Sequence, residues 1–262
     1  MMEEWVARRI NSPYVLKSSA PSRKRNYLYV VTEFVDGQTL TQWMIDNPKP
    51  DLETVRGIVE QIARGLRAFH KMEMLHQDLR PDNVMIDKTG TVKIIDFGST
   101  NVIGVLEAMP SVDPNQILGT AQYTAPEYFI GLGGAPRSDL FSLGVITYQM
   151  LTGKLPYGAA MARARTQAQQ RKLRYHPATG ENGDVPAWMD GAIARAVYPD
   201  PRKRYDEMSE FIFDLRHPNA DFLNVALPPL IARYPLLFWK VTSFILLCVV
   251  LFLLANRTGP HG

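Results

Sequence analysis

The stretch that decides the fold reads His76-Gln77-Asp78-Leu79-Arg80-Pro81-Asp82-Asn83, and Asp96-Phe97-Gly98 follows it downstream. Between the two lie the apolar runs 84–86 and 92–95, which are separated by a Lys-Thr-Gly turn. Two short apolar runs joined by a glycine turn predict a β-hairpin. Such a hairpin brings Asn83, just before its first strand, close to Asp96, just after its second. The side-chain oxygens of these residues and of Asp78 suit a hard cation such as Mg²⁺ that holds a polyphosphate.

The order and spacing of these residues resemble two loops of the eukaryotic-like serine/threonine protein kinases. In that family the catalytic loop reads His-Arg-Asp-Leu-x-x-x-Asn, and the metal loop reads Asp-Phe-Gly. The resemblance implies that Asp78 is the base that accepts the proton of the substrate hydroxyl, and that Asn83 and Asp96 are the Mg²⁺ ligands. Arg80 stands where the family usually places a lysine that reaches the transferred phosphate; arginine keeps the charge but changes the geometry.

A second motif of the resemblance covers residues 119–127, which read Gly-Thr-Ala-Gln-Tyr-Thr-Ala-Pro-Glu. In the family this segment cradles the substrate residue that follows the phosphoacceptor. Thr120 is therefore expected to hydrogen-bond Asp78 and Arg80, and a threonine at this position favours serine or threonine as the acceptor. Gln77 replaces an arginine that pairs with a phosphorylated activation loop in other kinases. Because glutamine cannot form that ion pair, we expect activity that does not depend on phosphorylation of residues 99–120.

Three further expectations concern residues that support the fold. The resemblance implies that Asp139 holds the backbone of the catalytic loop and that Arg204 pairs with Glu127 inside the large lobe. His76 is expected to pack beneath the metal loop, and His70, at the end of a helix, is expected to be structural.

On the nucleotide side, the resemblance places the hinge directly after an apolar strand. The backbone groups of Glu33 and Val35 are expected to contact adenine, Thr32 to line the back of the pocket, and Met85 to contact the nucleotide. The implied cofactors are ATP and Mg²⁺. Glu3 matches the helix glutamate of the small lobe, but an exposed first-turn carboxylate favoured by the helix dipole explains it equally well.

The glycine-rich phosphate loop of the family is missing from the sequence. No Gly-x-Gly-x-x-Gly segment occurs in it, and the family's phosphate-orienting lysine precedes the helix at which this chain begins. Either the chain is a fragment of a longer protein or it is a degraded kinase, and the sequence does not decide between them. Two hypotheses therefore stand: an active protein serine/threonine kinase, and an inactive pseudokinase that acts as a membrane-tethered binding module.

The resemblance implies an α+β fold, a protein-kinase-like bilobal fold with an incomplete small lobe and a mainly helical large lobe. Residues 1–35 are assigned to the small lobe and hinge, and residues 36–217 to the large lobe. Periodicity predicts helices at 3–10, 41–46 and 51–70, the last with a core-facing apolar stripe, and a buried helix that starts at Ser138. Strands are predicted at 14–17 and 27–31. The basic stretch 163–174 is interpreted as a solvated helical face; acidic substrates or a membrane surface are the alternatives.

The C-terminal segment differs from the rest in composition. After a linker at 218–235, residues 236–255 contain one charged residue, Lys240. This length spans a bilayer core of about 30 Å, which predicts a transmembrane helix with a lysine and Trp239 near its interface. The kinase region is then expected at the cytoplasmic face of the cell (inner) membrane, held by a single pass; a buried C-terminal helix is the alternative.

The amino-acid composition restricts the class of protein and the binding partners to be expected. An apolar content of 46% and a charged content of 21% are those of a globular protein. The single cysteine, Cys248, excludes an internal disulfide. A net charge of +3 is too mild to indicate nucleic acid, so none is expected as a partner. The expected partners are protein substrates that carry serine or threonine and the lipid bilayer. The resemblance to bacterial membrane-anchored kinases adds a possible phosphatase domain, upstream or as a partner.

Overall fold

The computed structural model describes residues 9–19, 29–96, 100–102, 121–223, 238–246, 248 and 251. The chain divides into two compact units, residues 1–223 and 224–262. In the second unit, residues 238–246 are helical. Among the described residues, no helix combines the length and the apolar character that crossing a bilayer requires. The predicted transmembrane segment 236–255 lies partly outside the described residues. The same holds for the linker predicted at 218–235, of which residues 224–235 are not described, and for the helix predicted at 3–10, of which residues 3–8 are not described.

The strands before the hinge lie elsewhere than predicted. The short strands β1 (Ser18–Ser19) and β2 (Val31–Thr32) pair antiparallel, with Ser18 opposite Thr32. Residues 14–17, predicted as a strand, instead bond to the end of the hairpin, where Ile94 N–H donates to Tyr14 O at 2.8 Å and Leu16 N–H donates to Ile94 O at 2.9 Å. The prediction was wrong because distant partners decide which extended residues pair, and local alternation does not show them.

The predicted hairpin is confirmed. Strand β3 (Gly37–Thr39) pairs antiparallel with β5 (Val84–Asp87), and β5 pairs antiparallel with β6 (Val92–Ile94). The turn between β5 and β6 uses Gly90 at φ 84°, a backbone conformation that glycine adopts without steric cost. Two further strands, β4 (Met74–Leu75) and β7 (Asn101–Val102), form a separate antiparallel pair.

Helices make up most of the remaining first unit. Helix α1 (Leu40–Asp46) follows β3, and α2 (Leu52–His70) starts at an Asp51 cap whose carboxylate accepts from Thr54 N–H at 2.8 Å. Helix α3 (Pro136–Thr152) begins two residues before the predicted start, with proline in its first turn, and is buried along nearly its whole length. The later helices are α4 (Ala160–Arg163), α5 (Gln167–Gln170), α6 (Ala178–Glu181), α7 (Ala187–Ala196), α8 (Met208–Arg216) and α9 (Ala220–Leu223).

The basic stretch 163–174 is not one helical face. Helices α4 and α5 are one turn each, and between the exposed cations Gln170 is buried. The amide of Gln170 donates to Pro126 O at 2.7 Å, so this stretch supports the Ala-Pro-Glu segment. Gln170 is surrounded in sequence by other polar residues, so the hydrophobic pattern of the sequence did not indicate that its side chain is buried.

Candidate active site

The backbone of residues 76 and 77 is held by one buried carboxylate. Asp139, 1% exposed, accepts hydrogen bonds from His76 N–H and Gln77 N–H, both at 3.0 Å. His70 Nε2 lies 2.9 Å from the same carboxylate. Burial by itself raises the pKa of Asp139, but the hydrogen bond and charge of His70 and the nearby His76 hold it below its ordinary value. The predicted structural contacts of Asp139 and His70 are confirmed.

These bonds stabilise an unfavourable backbone conformation. Gln77 has φ 67°, in the left-handed region, which costs a side-chain-bearing residue about 1–2 kcal/mol. The carboxylate of Asp139 offsets that cost, and the turn it stabilises directs the chain into Asp78.

Asp78 and Asn83 lie in direct contact. The side-chain amide of Asn83 donates to the backbone oxygen of Asp78 at 2.9 Å and to its carboxylate at 3.1 Å. The 3-10 turn Pro81–Asn83 places the amide there, and Asn83 is 4% exposed. Burial raises the pKa of Asp78, although the charges of Arg80 and His76 and the bond from Asn83 oppose the shift. The amide nitrogen is used in these contacts, so the amide oxygen is the atom suited to a cation.

Asp96 follows directly from the hairpin that Asn83 precedes. Val84 is the register partner of Ile94, and Ile95 N–H donates to Asn83 O at 2.9 Å. Asp96 then turns with φ 62° and is exposed, a conformation that aspartate tolerates better than most residues. The hairpin therefore brings the ends that carry Asn83 and Asp96 together, as the spacing predicts.

The donor set fits Mg²⁺ bound with a polyphosphate. One carboxylate and one amide oxygen, completed by phosphate oxygens and water, is a donor set that magnesium accepts. No group of three His, Cys, Asp or Glu side chains that could hold a metal occurs in the described part of the chain. A cation at this place would therefore depend on oxygens that the nucleotide brings.

His76 is fully buried beside the loop. Its ring contacts Phe69 edge-on, with ring centroids 5.5 Å apart. Burial lowers the pKa of His76 and outweighs the opposing charges of Asp139, Asp78 and Asp96. A buried imidazole against Phe69 is a packing group; that it packs beneath the metal loop stays a prediction, because Phe97 and Gly98 lie outside the described residues.

The predicted nucleotide contacts lie on and beside the three-stranded sheet, with Glu33 and Val35 before its outer strand β3 and Met85 on its central strand β5. Glu33 N–H donates to Lys17 O at 3.0 Å, so this N–H is already engaged. For Val35, which is 9% exposed, the described residues provide no backbone partner for its N–H group. Met85 lies on β5, opposite Thr39 on one side and Lys93 on the other.

A buried ion pair ties the segment after residue 120 to the large helical region. The two terminal guanidinium nitrogens of Arg204, Nη1 and Nη2, donate to the carboxylate of Glu127 at 2.8 and 2.7 Å, and the two side chains are 0% and 3% exposed. The predicted pair is confirmed. Ser138 adds a hydrogen bond to Glu127 at 2.7 Å, which links the pair to the first turn of α3.

The sequence matches the protein kinase domain family over residues 1–217. This chain belongs to the protein kinase family. The kinase is 29% identical over 201 residues to a probable serine/threonine-protein kinase of Clostridium acetobutylicum, covering 76% of this chain and 30% of that protein. It is 27% identical over 228 residues to the serine/threonine-protein kinase PrkC of Bacillus subtilis, covering 85% of this chain and 34% of PrkC.

A third relative is a probable serine/threonine-protein kinase PknB of Bifidobacterium longum, 31% identical over 221 residues, or 84% of this chain and 31% of that protein. The predicted membership of the eukaryotic-like serine/threonine kinases of bacteria is thus confirmed. The kinase spans about a third of the length of these relatives.

Several predicted site residues of the kinase lie outside the described residues. They are Thr120, Glu3 and the Phe97-Gly98 part of the metal loop. Arg80 lies two residues after Asp78, with its Nε 3.7 Å from Asp82 Oδ2. The roles assigned to Asp78, Arg80, Asn83, Thr120, Glu33, Val35, Met85 and Asp96 stay predictions.

Sequence reasoning missed Lys93. Its ammonium group lies 2.8 Å from Glu33 Oε1 and 3.3 Å from Pro13 O, and its side chain is 14% exposed. The signal was present, because a lysine inside a short apolar strand needs a partner when it is buried. Its partner is 60 residues away in sequence, so only the fold identifies it.

Proposed function

We propose that this kinase transfers the γ-phosphoryl group of Mg-ATP to serine or threonine hydroxyls of protein substrates. The contact between the Asp78 carboxylate and the Asn83 amide, 3.1 Å apart, carries the proposal. It joins the candidate base to a candidate metal ligand on a loop whose backbone Asp139 holds. The names of the bacterial relatives support the choice of serine and threonine as acceptors.

Catalysis in this proposal is positioning and charge neutralisation. Asp78 orients the acceptor hydroxyl and takes its proton as the oxygen attacks. Its raised pKa makes the carboxylate a better proton acceptor than an ordinary aspartate. Asn83 and Asp96 would hold Mg²⁺, which when bound neutralises charge on the phosphates. Arg80, adjacent to Asp78, presents a positive charge toward the group in transfer.

Two measurements on the full chain test this proposal. Calorimetry with Mg-ATP is expected to show micromolar binding that Asp96→Ala abolishes. Transfer of labelled phosphate to a serine-containing protein is expected to fall about 10²- to 10⁴-fold in Asp78→Asn, the range for loss of a general base. A folded wild-type chain that binds no nucleotide would support the inactive binding module instead.

Location is a separate part of the proposal. We infer that residues 236–255 anchor the kinase in the cell membrane as a single pass, with the kinase region in the cytoplasm. The low charge of the segment supports this topology, as do Arg233 just before it and Lys240 near its N-terminal end. Fractionation tests it: the full chain is expected with the membranes, and a chain ending at residue 235 in the soluble fraction. Equal solubility of both would exclude the anchor. A phosphatase domain, upstream or as a partner, stays a prediction.

A further inference from the structure

A groove of about 470 Å³ lies between residues 9–14 and the C-terminal half of α2. Among the described residues, its lining contains four cationic side chains and no carboxylate; the cations are Arg9, Arg64, Arg67 and Lys71. Ala68, Met72 and Pro13 add apolar surface between them. None of these residues belongs to the candidate active site.

The charges of α2 are segregated along the helix. Its carboxylates Glu53 and Glu60 lie in the first half and pair with cations, Glu60 with Arg64 and both with Arg216. Beyond Arg64 the exposed charges are positive. Within the described residues, neither Arg67 nor Lys71 has a carboxylate at ion-pair distance. Positions 64, 67 and 71 follow the i, i+3, i+7 spacing of one helical face, so these cations converge on the groove.

The two walls of the groove are held together tightly. A Cβ at Gly65 would lie 2.7 Å from Ile94 Cδ1 and 3.1 Å from Tyr14 O, so the helix backbone packs directly against the opposite wall. Arg64 Nη1 donates to the Tyr14 hydroxyl at 3.4 Å. Tyr14 N–H bonds Ser12 Oγ at 3.3 Å, and Ser12 and Ile10 are buried. A groove with fixed walls loses little conformational entropy when a ligand enters it.

The helix dipole explains part of this charge. Cations at the C-terminal end of a helix stabilise it; Arg67 lies in the last turn of α2, and Lys71 is its C-cap residue. The dipole does not account for Arg9, which reaches the groove from a different segment, nor for the lack of a carboxylate among the described lining residues.

We propose that the groove is a docking site for an acidic segment of a protein partner, recognised through its carboxylate or phosphate groups. Concave shape and an apolar strip between cations fit an extended peptide better than a flat bilayer surface. Asp78, Asn83 and Asp96 are not among its lining residues, and its occupation does not require phosphoryl transfer.

Fluorescence anisotropy with the full chain tests the proposal. The probe is a short labelled peptide of alternating glutamate and serine. We expect binding that weakens as salt is raised, and a dissociation constant that rises about three- to tenfold in the double variant Arg67→Gln/Lys71→Gln, as loss of two rim ion pairs implies. The matched control, Arg163→Gln/Lys172→Gln, removes the same charge from exposed positions outside the groove and should leave the constant unchanged.

Three outcomes would overturn the proposal. The first is equal weakening in both double variants, which would mean attraction by net charge. The second is a folded wild-type chain that does not bind the peptide. The third is binding of phosphatidylserine vesicles, but not of the peptide, that depends on Arg67 and Lys71; this would assign the groove to a membrane surface. Because none of these readouts uses nucleotide or catalysis, failure here is distinct from failure of the proposed kinase activity.

Discussion

Lys93 bonds Glu33 across the sheet edge, with its ammonium nitrogen 2.8 Å from the carboxylate. The same carboxylate oxygen accepts the backbone N–H of Lys17 at 2.9 Å. Burial raises the pKa of Glu33, but the bonds from Lys93 and Lys17 outweigh it and keep the pKa below the ordinary value. Lys93 lies three residues before Asp96, so the pair ties the predicted adenine contacts to the strand that leads into the predicted metal ligand.

Replacing Lys93 with methionine should therefore weaken nucleotide binding more than turnover. We expect KM for ATP to rise about fivefold, equivalent to about 1 kcal/mol, because the predicted hinge loses the contact that positions Glu33. We expect little change in kcat, because the variant leaves the contacts of Asp78 in place. Lys93→Arg should recover most of the loss. Kinetics with varied ATP provide the measurement.

The control for this variant is Lys88→Met. Lys88 pairs at 2.8 Å with Asp36, directly after the predicted hinge, but the two side chains are 75% and 62% exposed, and exposed pairs contribute little. An equal rise of KM in both variants would show that the Lys93 contact has no special role.

The raised pKa of Asp78 predicts the acid side of the pH–rate profile. The base acts only when ionised, so kcat/KM should rise with pH through a pKa above the ordinary aspartate value of 3.8. A profile on the protein substrate between pH 4 and 8 tests this, with a substrate lacking ionisable groups near the acceptor. An acid limb below pH 3.8 would contradict the assignment of Asp78 as a buried base.

The same shift predicts the stability of Asp78→Asn. A carboxyl whose pKa is raised in the folded state contributes stability below its unfolded pKa and loses it as the pH rises through the folded value. At neutral pH the ionised Asp78 is thus unfavourable to folding, and asparagine, which still accepts the bond from Asn83, should raise the melting temperature. Calorimetric unfolding at pH 7 measures this. A variant that is less stable at pH 7 would show that the ionised carboxylate contributes to folding.

Removing one partner of the Arg204–Glu127 pair should strongly lower the free energy of unfolding. Arg204→Met leaves a buried carboxylate without its counter-charge, and such changes cost about 3–5 kcal/mol. Adding Glu127→Gln removes that charge, so the double variant should regain part of the loss. Urea unfolding of the single and double variants gives the free energies. Equal stability of the two variants would mean that the unpaired charge is not the source of the cost.

Two glycines of α2 should respond to alanine in opposite directions. Gly57 has open space where its Cβ would lie, so Gly57→Ala should stabilise the chain by up to about 1 kcal/mol through helix propensity. Gly65→Ala should destabilise it, because the new methyl would meet Ile94 and the backbone of Tyr14. Thermal unfolding of the two variants compares them directly. Stabilisation by both would mean that the contact at Gly65 relaxes without cost.

The sequence by itself determined the family, the order of the main helices and the hairpin that joins Asn83 to Asp96. These follow from local signals: the spacing of the catalytic motif, the apolar stripe of α2 and the glycine turn at Gly90. The Arg204–Glu127 pair was predictable as well, because the family motif carries both residues at recognisable positions.

The tertiary structure decided what depends on contacts between distant segments. In the structure, the strand predicted at 14–17 lies instead at Ser18–Ser19, where Ser18 pairs with Thr32. The Gln170 amide donates to the Pro126 carbonyl, and Lys93 pairs with Glu33. The fold also brings Arg9 to the cationic face of α2. Periodicity reports which face of an element is buried, but not which partner covers it. A charged or amide side chain acquires its role only when the fold brings a partner of the right chemistry within hydrogen-bond distance.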